Sequence, residues 1–145
     1  MRRLAQRVVL DASAVVETLG EFAYPAAARG ILEAVATDPD GELWAPDVVY
    51  PESASALRKL VARGLLDAEA GARGISRLLA LPLHVSGTAA LIADAWSMRD
   101  AITIYDACYV ALAHRLNATF ATADGSLARA IGTSSVDVLY LGNVA

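Results

Sequence analysis

Thr103-Ile104-Tyr105-Asp106-Ala107-Cys108-Tyr109-Val110-Ala111-Leu112-Ala113, followed four residues later by Ala118-Thr119-Phe120-Ala121-Thr122-Ala123-Asp124-Gly125-Ser126, is the stretch that decides the fold. The first string is apolar on nearly every face, which reads as a helix over 105–116 buried between neighbours. The second is a short β-branched and aromatic run, a strand over 118–122, that ends on an acid and a turn before a helix over 125–130. Helix, buried strand and helix in succession are the unit of a parallel sheet covered on both faces. Arg7-Val8-Val9-Leu10-Asp11 repeats the arrangement, with a strand over 7–10 and a carboxylate just past its C-terminal end. Outward from these, strands over 42–45, 82–85 and 136–140 alternate with helices over 12–19, 25–36, 47–62, 67–80 and 87–99. The expected fold is α/β, with three α/β/α layers and a central, mostly parallel sheet flanked by helices. Residues 1–145 are expected to form a single domain.

Four carboxylates stand where charge is awkward. Asp11 and Asp124 lie at strand ends, and in open α/β sheets ligands bind in the crevice beyond the carboxyl ends of the strands. Asp106 starts the apolar helix, three residues after Thr103, and Glu52 lies near the start of the helix that continues through Leu57, Leu60 and Val61. Each has an ordinary reading. Thr103 with Asp106 fits a capping spacing, and an acid in a first helical turn complements the helix dipole. Taken together they need more, because two carboxylates about 4 Å apart repel by about 4 kcal/mol at an effective dielectric of about 20. A cluster of acids therefore requires protons or a cation. All-oxygen sites suit magnesium, manganese or calcium, whereas zinc prefers histidine and cysteine. The chain has one cysteine, Cys108, which reads as a packed hydrophobe, and two histidines, His84 and His114, that share no ligand spacing.

At these residues the chain resembles a PIN-domain ribonuclease of the VapC type, the toxin half of a toxin–antitoxin pair, over essentially its whole length. The matching segments are Val8-Val9-Leu10-Asp11-Ala12-Ser13-Ala14, Glu52-Ser53-Ala54-Ser55-Ala56-Leu57-Arg58, Thr103 to Ala113, and Ala121-Thr122-Ala123-Asp124-Gly125-Ser126-Leu127-Ala128. The specific part is Tyr-Asp-Ala-x-Tyr-x-Ala-Leu-Ala followed, after a short strand, by Thr-Ala-Asp-x-x-Leu-Ala. The resemblance implies a PIN-like fold and a catalytic set of Asp11, Glu52, Asp106 and Asp124. Asp11, Asp106 and Asp124 would hold magnesium or manganese, with Ser13 and Thr122 as supporting hydroxyls. It also implies an RNA substrate, a cognate antitoxin, a homodimer and a toxin–antitoxin hetero-oligomer. Pro51, just before Glu52, departs from the pattern: either the helix starts near Tyr50 with Pro51 in its first position, or it begins at Asp47 and is bent. A phosphatase with a strand-end aspartate nucleophile is a rival enzyme class, but it needs Asp-x-Asp, and Asp11-Ala12-Ser13 lacks the second acid. A non-cleaving RNA- or protein-binding module is the rival outside enzymes.

With 145 residues, 56% hydrophobic, the chain has ample material for one core. The apolar stretch between Arg77 and Asp94 is broken by Pro82, His84 and Gly87 and falls short of the roughly 20 residues a membrane span requires. Arg2 and Arg3 precede apolar residues, but Asp11 and Glu17 interrupt any signal-peptide core. No membrane association and a cytoplasmic location are expected, and the single cysteine fits a reducing compartment. A net charge of −4 is awkward for binding RNA. Arg58, Lys59 and Arg63 either contact phosphates or solvate their helix's outer face. Glu69, Arg73 and Arg77 read as a salt-bridged helix face. Phe22, Tyr24, Ile31, Leu32 and Val35 look exposed on the early helices, as a groove for an antitoxin, a dimer surface or simply a cover for the sheet.

Overall fold

The computed structural model describes residues 4–132 and 136–144; Arg2 and Arg3 lie outside them. Strands β1 (Arg7–Leu10), β2 (Glu42–Pro46), β3 (Leu83–Ser86), β4 (Thr119–Thr122) and β5 (Asp137–Tyr140) form one sheet in the order β3-β2-β1-β4-β5. Every pairing in it is parallel, with Val9 between Trp44 of β2 and Phe120 of β4. The helices are α1 (Ala12–Glu17), α2 (Pro25–Thr37), α3 (Val49–Ala62), α4 (Ala68–Ala80), α5 (Ile92–Ser97), α6 (Ile104–Leu116) and α7 (Gly125–Ile131). The chain leaves β1 toward β2 and β3, then returns past β1 to β4 and β5, so the connection direction reverses between β1 and β4. The crevice beyond the C-terminal ends of those two strands is where such sheets bind ligands.

The deciding stretch behaves as its composition requires. Ala107 to Ala113 of α6 are all buried, because α6 lies across β1, β2 and β4 with α5 packed against it. The helix ends at Asn117, whose left-handed backbone (φ 50°) closes the C-terminus at a residue type that tolerates it. On the other side of the chain's path, α1 packs on α2 and α3, and α3 on α4. Val49, Ser53 and Leu57 form the buried stripe of α3, and Gly71 and Gly74 bring α4 close to it. A Cβ at Gly74 would stand 3.0 Å from Leu57 Cδ1.

Four expectations need correcting. The helix over 87–99 is two elements, a 3₁₀ turn at Thr88–Leu91 and then α5. Leu91 and Ala95, at i and i+4, are the buried residues of the two pieces, so the change of winding leaves the inward face where one helix would have put it. The helix over 47–62 begins at Val49, which places Pro51 in the first turn, where its missing N–H is one that no helix uses. Glu52 N still donates to Val48 O at 3.1 Å, so neither form of the Pro51 expectation is quite met and no bend is required. Ile31 and Val35 are core residues and not exposed, and Phe22, Tyr24 and Leu32 pack partly buried against that core, so of the readings open for the early helices the cover for the sheet is the one met. Among the described residues no ion pair joins Glu69 to Arg73 or Arg77; Arg77 Nη1 instead donates to Leu19 O at 2.8 Å, tying α4 to the end of α1.

Candidate active site

Every one of the four acids sits at a helix N-terminus. Asp11 and Asp124 are the N-cap residues of α1 and α7, accepting from Ala14 N at 2.8 Å and Leu127 N at 3.1 Å. Asp106 is in the first turn of α6, whose N-cap is Thr103; Asp106 N donates to Thr103 Oγ1 at 3.1 Å. Glu52 is in the first turn of α3. The ordinary capping readings are therefore correct as far as they go. They also explain how several carboxylates can share one end of the molecule, since each faces the positive end of a helix dipole.

Asp11 is 4% exposed and held at both oxygens. Ser13 Oγ donates to Oδ1 at 2.6 Å and Thr122 Oγ1 donates to Oδ2 at 2.6 Å. The same hydroxyl oxygens accept from the backbone beyond β4: Ala123 N to Ser13 Oγ at 2.9 Å, and Asp124 N to Thr122 Oγ1 at 3.0 Å. Asp11, Ser13, Thr122 and Asp124 thus form one hydrogen-bonded network that bridges the β1 and β4 ends. Burial raises the Asp11 carboxyl from 3.8 to about 6, against the lowering pull of the Ser13, Thr122 and Ala14 bonds and with a further push from the charge of Asp106.

Glu52 and Asp106 complete the group from the other helices. Tyr109, buried on α6, donates its hydroxyl to Glu52 Oε1 at 2.7 Å. Burial raises the Glu52 carboxyl, partly offset by that bond and reinforced by Asp106. Asp106 is itself raised by burial and by the charge of Asp124, against the Thr103 bond. Asp106 is thus the electrostatic centre of the set, felt by Asp11 and Glu52 and feeling Asp124. Among the described residues no three His, Cys, Asp or Glu side chains are gathered closely enough to hold an ion by themselves. Like charges resist closing on one another, and a magnesium ion that keeps several waters needs few direct carboxylates. An all-oxygen donor set with raised carboxyls fits such a hard cation.

Tyr109 is the functional-site residue that sequence reasoning passed over. Its signal is a large aromatic one turn after Asp106 on the apolar face of α6, where the helix's other tyrosine, Tyr105, is exposed; its own ionisation is driven far upward by burial and by Glu52. Cys108 is 3% exposed with its thiol pushed up by burial and by the charges of Glu52 and Asp47, as a packed residue should be. His84 is occupied elsewhere, stacked on Trp44 at 5.0 Å with Nε2 at 3.5 Å from Glu42.

A family model described as PIN domain matches residues 8–132. Ribonuclease VapC3 of Mycobacterium tuberculosis is 33% identical over 126 residues, covering 86% of this chain and 88% of that protein. Ribonuclease VapC1 of the same organism is 35% identical over 129 residues, covering 86% and 90%. Among solved structures, M. tuberculosis VapC20, described as a Sarcin-Ricin loop cleaving toxin, is similar with a TM-score of 0.63 and 18% identity over 90% of this chain and 98% of that one. VapBC2 from Rickettsia felis, solved with a DNA fragment from its promoter, has a TM-score of 0.67 and 15% identity over 92% and 98%.

Proposed function

This chain belongs to the PIN domain family, with VapC ribonucleases among its relatives, and from that premise we propose that it is the toxin of a toxin–antitoxin pair. Its activity is endonucleolytic hydrolysis of RNA phosphodiester bonds, dependent on magnesium or manganese, by residues 1–145 acting as one domain. The observation that carries this reading is the buried Asp11, fixed by two hydroxyls at the sheet's switch point and electrostatically coupled to Asp106 of α6. A binding module has no need to keep a carboxylate in so unfavourable a place.

Asp11, Asp106 and Asp124 would hold the cation. When bound, it supplies charge neutralisation at the phosphate, a more acidic water and stabilisation of the leaving oxygen. The chain's own residues do the rest. Ser13 and Thr122 fix both Asp11 oxygens, so that the carboxylate presents one orientation and does not rotate away. Glu52, half-buried with a raised carboxyl, positions the attacking water and accepts its proton. Tyr109 aims Glu52 and is a positioning residue, since its hydroxyl is already committed to that carboxylate.

The antitoxin partner fits a surface other than the early helices. A cavity of about 400 Å³ between α3 and α4 is lined by Leu57, Val61, Ala68, Gly71 and Ile75, and Leu65 and Leu79 nearby in sequence are 70% and 71% exposed. Small residues at its floor leave room for an amphipathic helix. The assembly we expect is a toxin homodimer carrying antitoxin, at work in the cytoplasm, where its RNA is. No helix among the described residues is long and apolar enough to cross a membrane.

The test is incubation of the purified chain with mixed structured RNAs, with magnesium, with manganese and with chelator. Cleavage that chelator stops and either metal restores supports the reading. Cleavage indifferent to metal, or RNA binding with no cleavage in any buffer, would remove it, the latter in favour of a binding module.

A further inference from the structure

We infer that the cleft beside Asp106 and Asp124 seats the ribose-phosphate backbone of a single-stranded RNA segment, with Arg99 as its phosphate contact; the choice of RNA rests on the ribonuclease reading above. The cleft has a volume of about 480 Å³, and Arg99, Asp100, Thr103, Asp106, Asp124 and Ser126 contribute to its wall. Two of the four acids are therefore part of the same cavity, and a strand cut at those acids has to pass through it.

A chain of net charge −4 still has to attract a polyanion. Arg58, Lys59 and Arg63 are poorly placed for this, because α3 runs away from Glu52. Six residues on, Arg58 is about 9 Å further along the axis, where it borders the apolar α3–α4 cavity. Arg99 stands in the wall of the acidic cleft itself. Its guanidinium carbon lies 5.0 Å from the Trp96 ring centroid, and Nη1 donates to Trp96 O at 3.1 Å. Among the described residues no carboxylate pairs with it. The side chain is thus held in place with its charge unneutralised and most of its donors free, which suits the planar fork of a guanidinium to a phosphate. The arrangement also gives a role to Trp96, which is 58% exposed.

One hydroxyl in the wall can add to the contact. Ser126 Oγ accepts from Arg129 Nη2 at 3.3 Å and keeps its own proton to donate, whereas the Thr103 hydroxyl, which accepts from Asp106 N, is already drawn to the Asp106 carboxyl. Against this stand three carboxylates, Asp100, Asp106 and Asp124, and one guanidinium. So sparse a set of cations neutralises about one phosphate. It suits a single strand with few ionic contacts, whereas a duplex reader contacts backbone across two successive grooves.

The test uses the full chain carrying Asp11→Asn as an uncut background. Binding of a fluorescently labelled single-stranded oligoribonucleotide is measured by anisotropy, with magnesium, between about 50 and 200 mM salt. Arg99→Gln should weaken binding by about tenfold or more, the scale of one charge-assisted contact. It should also flatten the slope of log K against log salt by about 0.7. Arg99→Lys should recover part of the affinity, and Arg58→Gln should change neither quantity. In the chain with Asp11 restored, Arg99→Gln should raise KM by the same factor with kcat within about twofold. Unchanged affinity and slope in Arg99→Gln, in a chain that cuts RNA in an Asp11-dependent way, would overturn the cleft assignment and leave the ribonuclease reading standing. Arg99-dependent binding with no cutting by the chain bearing Asp11 would do the reverse. Absence of RNA binding in all variants would overturn the cleft assignment.

Discussion

Asp11 keeps its charge at a cost, and the cost is measurable. Its carboxyl is raised from 3.8 to about 6, so the native state holds a proton that the unfolded chain gives up between those values. Stability from the protonated form is complete below about 4 and lost as pH rises through about 6. In chelator, unfolding by urea at stepped pH should therefore show a fall of about 3 kcal/mol across that window, at about 1.4 kcal/mol per pH unit. Glu52 and Asp106 shift in the same direction and add to the slope. Asp11→Asn should remove most of it, and at neutral pH in chelator it should melt no lower than the parent; a slope undiminished in that variant would contradict the assignment. A second expectation concerns Tyr109→Phe. Losing the bond that lowers the Glu52 carboxyl should move the acidic limb of the pH–rate profile upward and cut kcat by about tenfold at neutral pH. Unmoved limbs would make Tyr109 merely structural. At this scale the strand-end positions of Asp11 and Asp124 were legible, because an acid after a β-branched run needs only local pattern. The Tyr109–Glu52 bond was not, because it joins residues 57 apart through the meeting of α3 and α6.

Helix N-termini are the elements that make the site. Each acid occupies an N-cap or first turn, so the segments that fold locally as helix starts also assemble the carboxylates. Within α3 one feature works against this economy. Ser53 is fully buried next to Glu52 and its hydroxyl has no hydrogen-bond partner among the described residues. Ser53→Ala should stabilise the fold by about 1 kcal/mol in urea unfolding, because it removes an unsatisfied buried polar group; a loss of that size would mean the hydroxyl is satisfied in solution. Alternation of strands and helices was readable from periodicity and turn residues. The break between the 3₁₀ turn and α5 was not, since Thr88 to Ser97 has helical composition throughout and the i, i+4 spacing of the buried Leu91 and Ala95 suits one continuous helix equally well. Arg99 stood in that misread segment, at the end of an expected helix. Its place in the acidic cleft depends on how the α5–α6 connection turns.

At the scale of the whole molecule, the β3-β2-β1-β4-β5 order puts two acid-bearing strand ends side by side, and the helices after β2 and β3 bring the others. The apolar cavity between α3 and α4 is a separate feature, and it can be tested separately. Ile75→Asp should abolish co-purification with the antitoxin proposed above, and retained co-purification would move the antitoxin surface elsewhere. The early helices left three readings open because apolar residues at helical spacing do not reveal which way a helix faces; Ile31 and Val35 turn inward, so the cover for the sheet is the one met.

The central claim is that these carboxylates activate water on an RNA phosphate. It is tested most directly by cutting one end-labelled RNA with the parent chain, Asp11→Asn and Asp106→Asn in magnesium, and analysing the product ends. The account predicts cleavage lost by at least about a hundredfold in both variants, in proteins that remain folded, and parent products without a 2′,3′-cyclic phosphate, since water rather than the ribose hydroxyl attacks. Cyclic phosphate ends, or full activity in either variant, would contradict it.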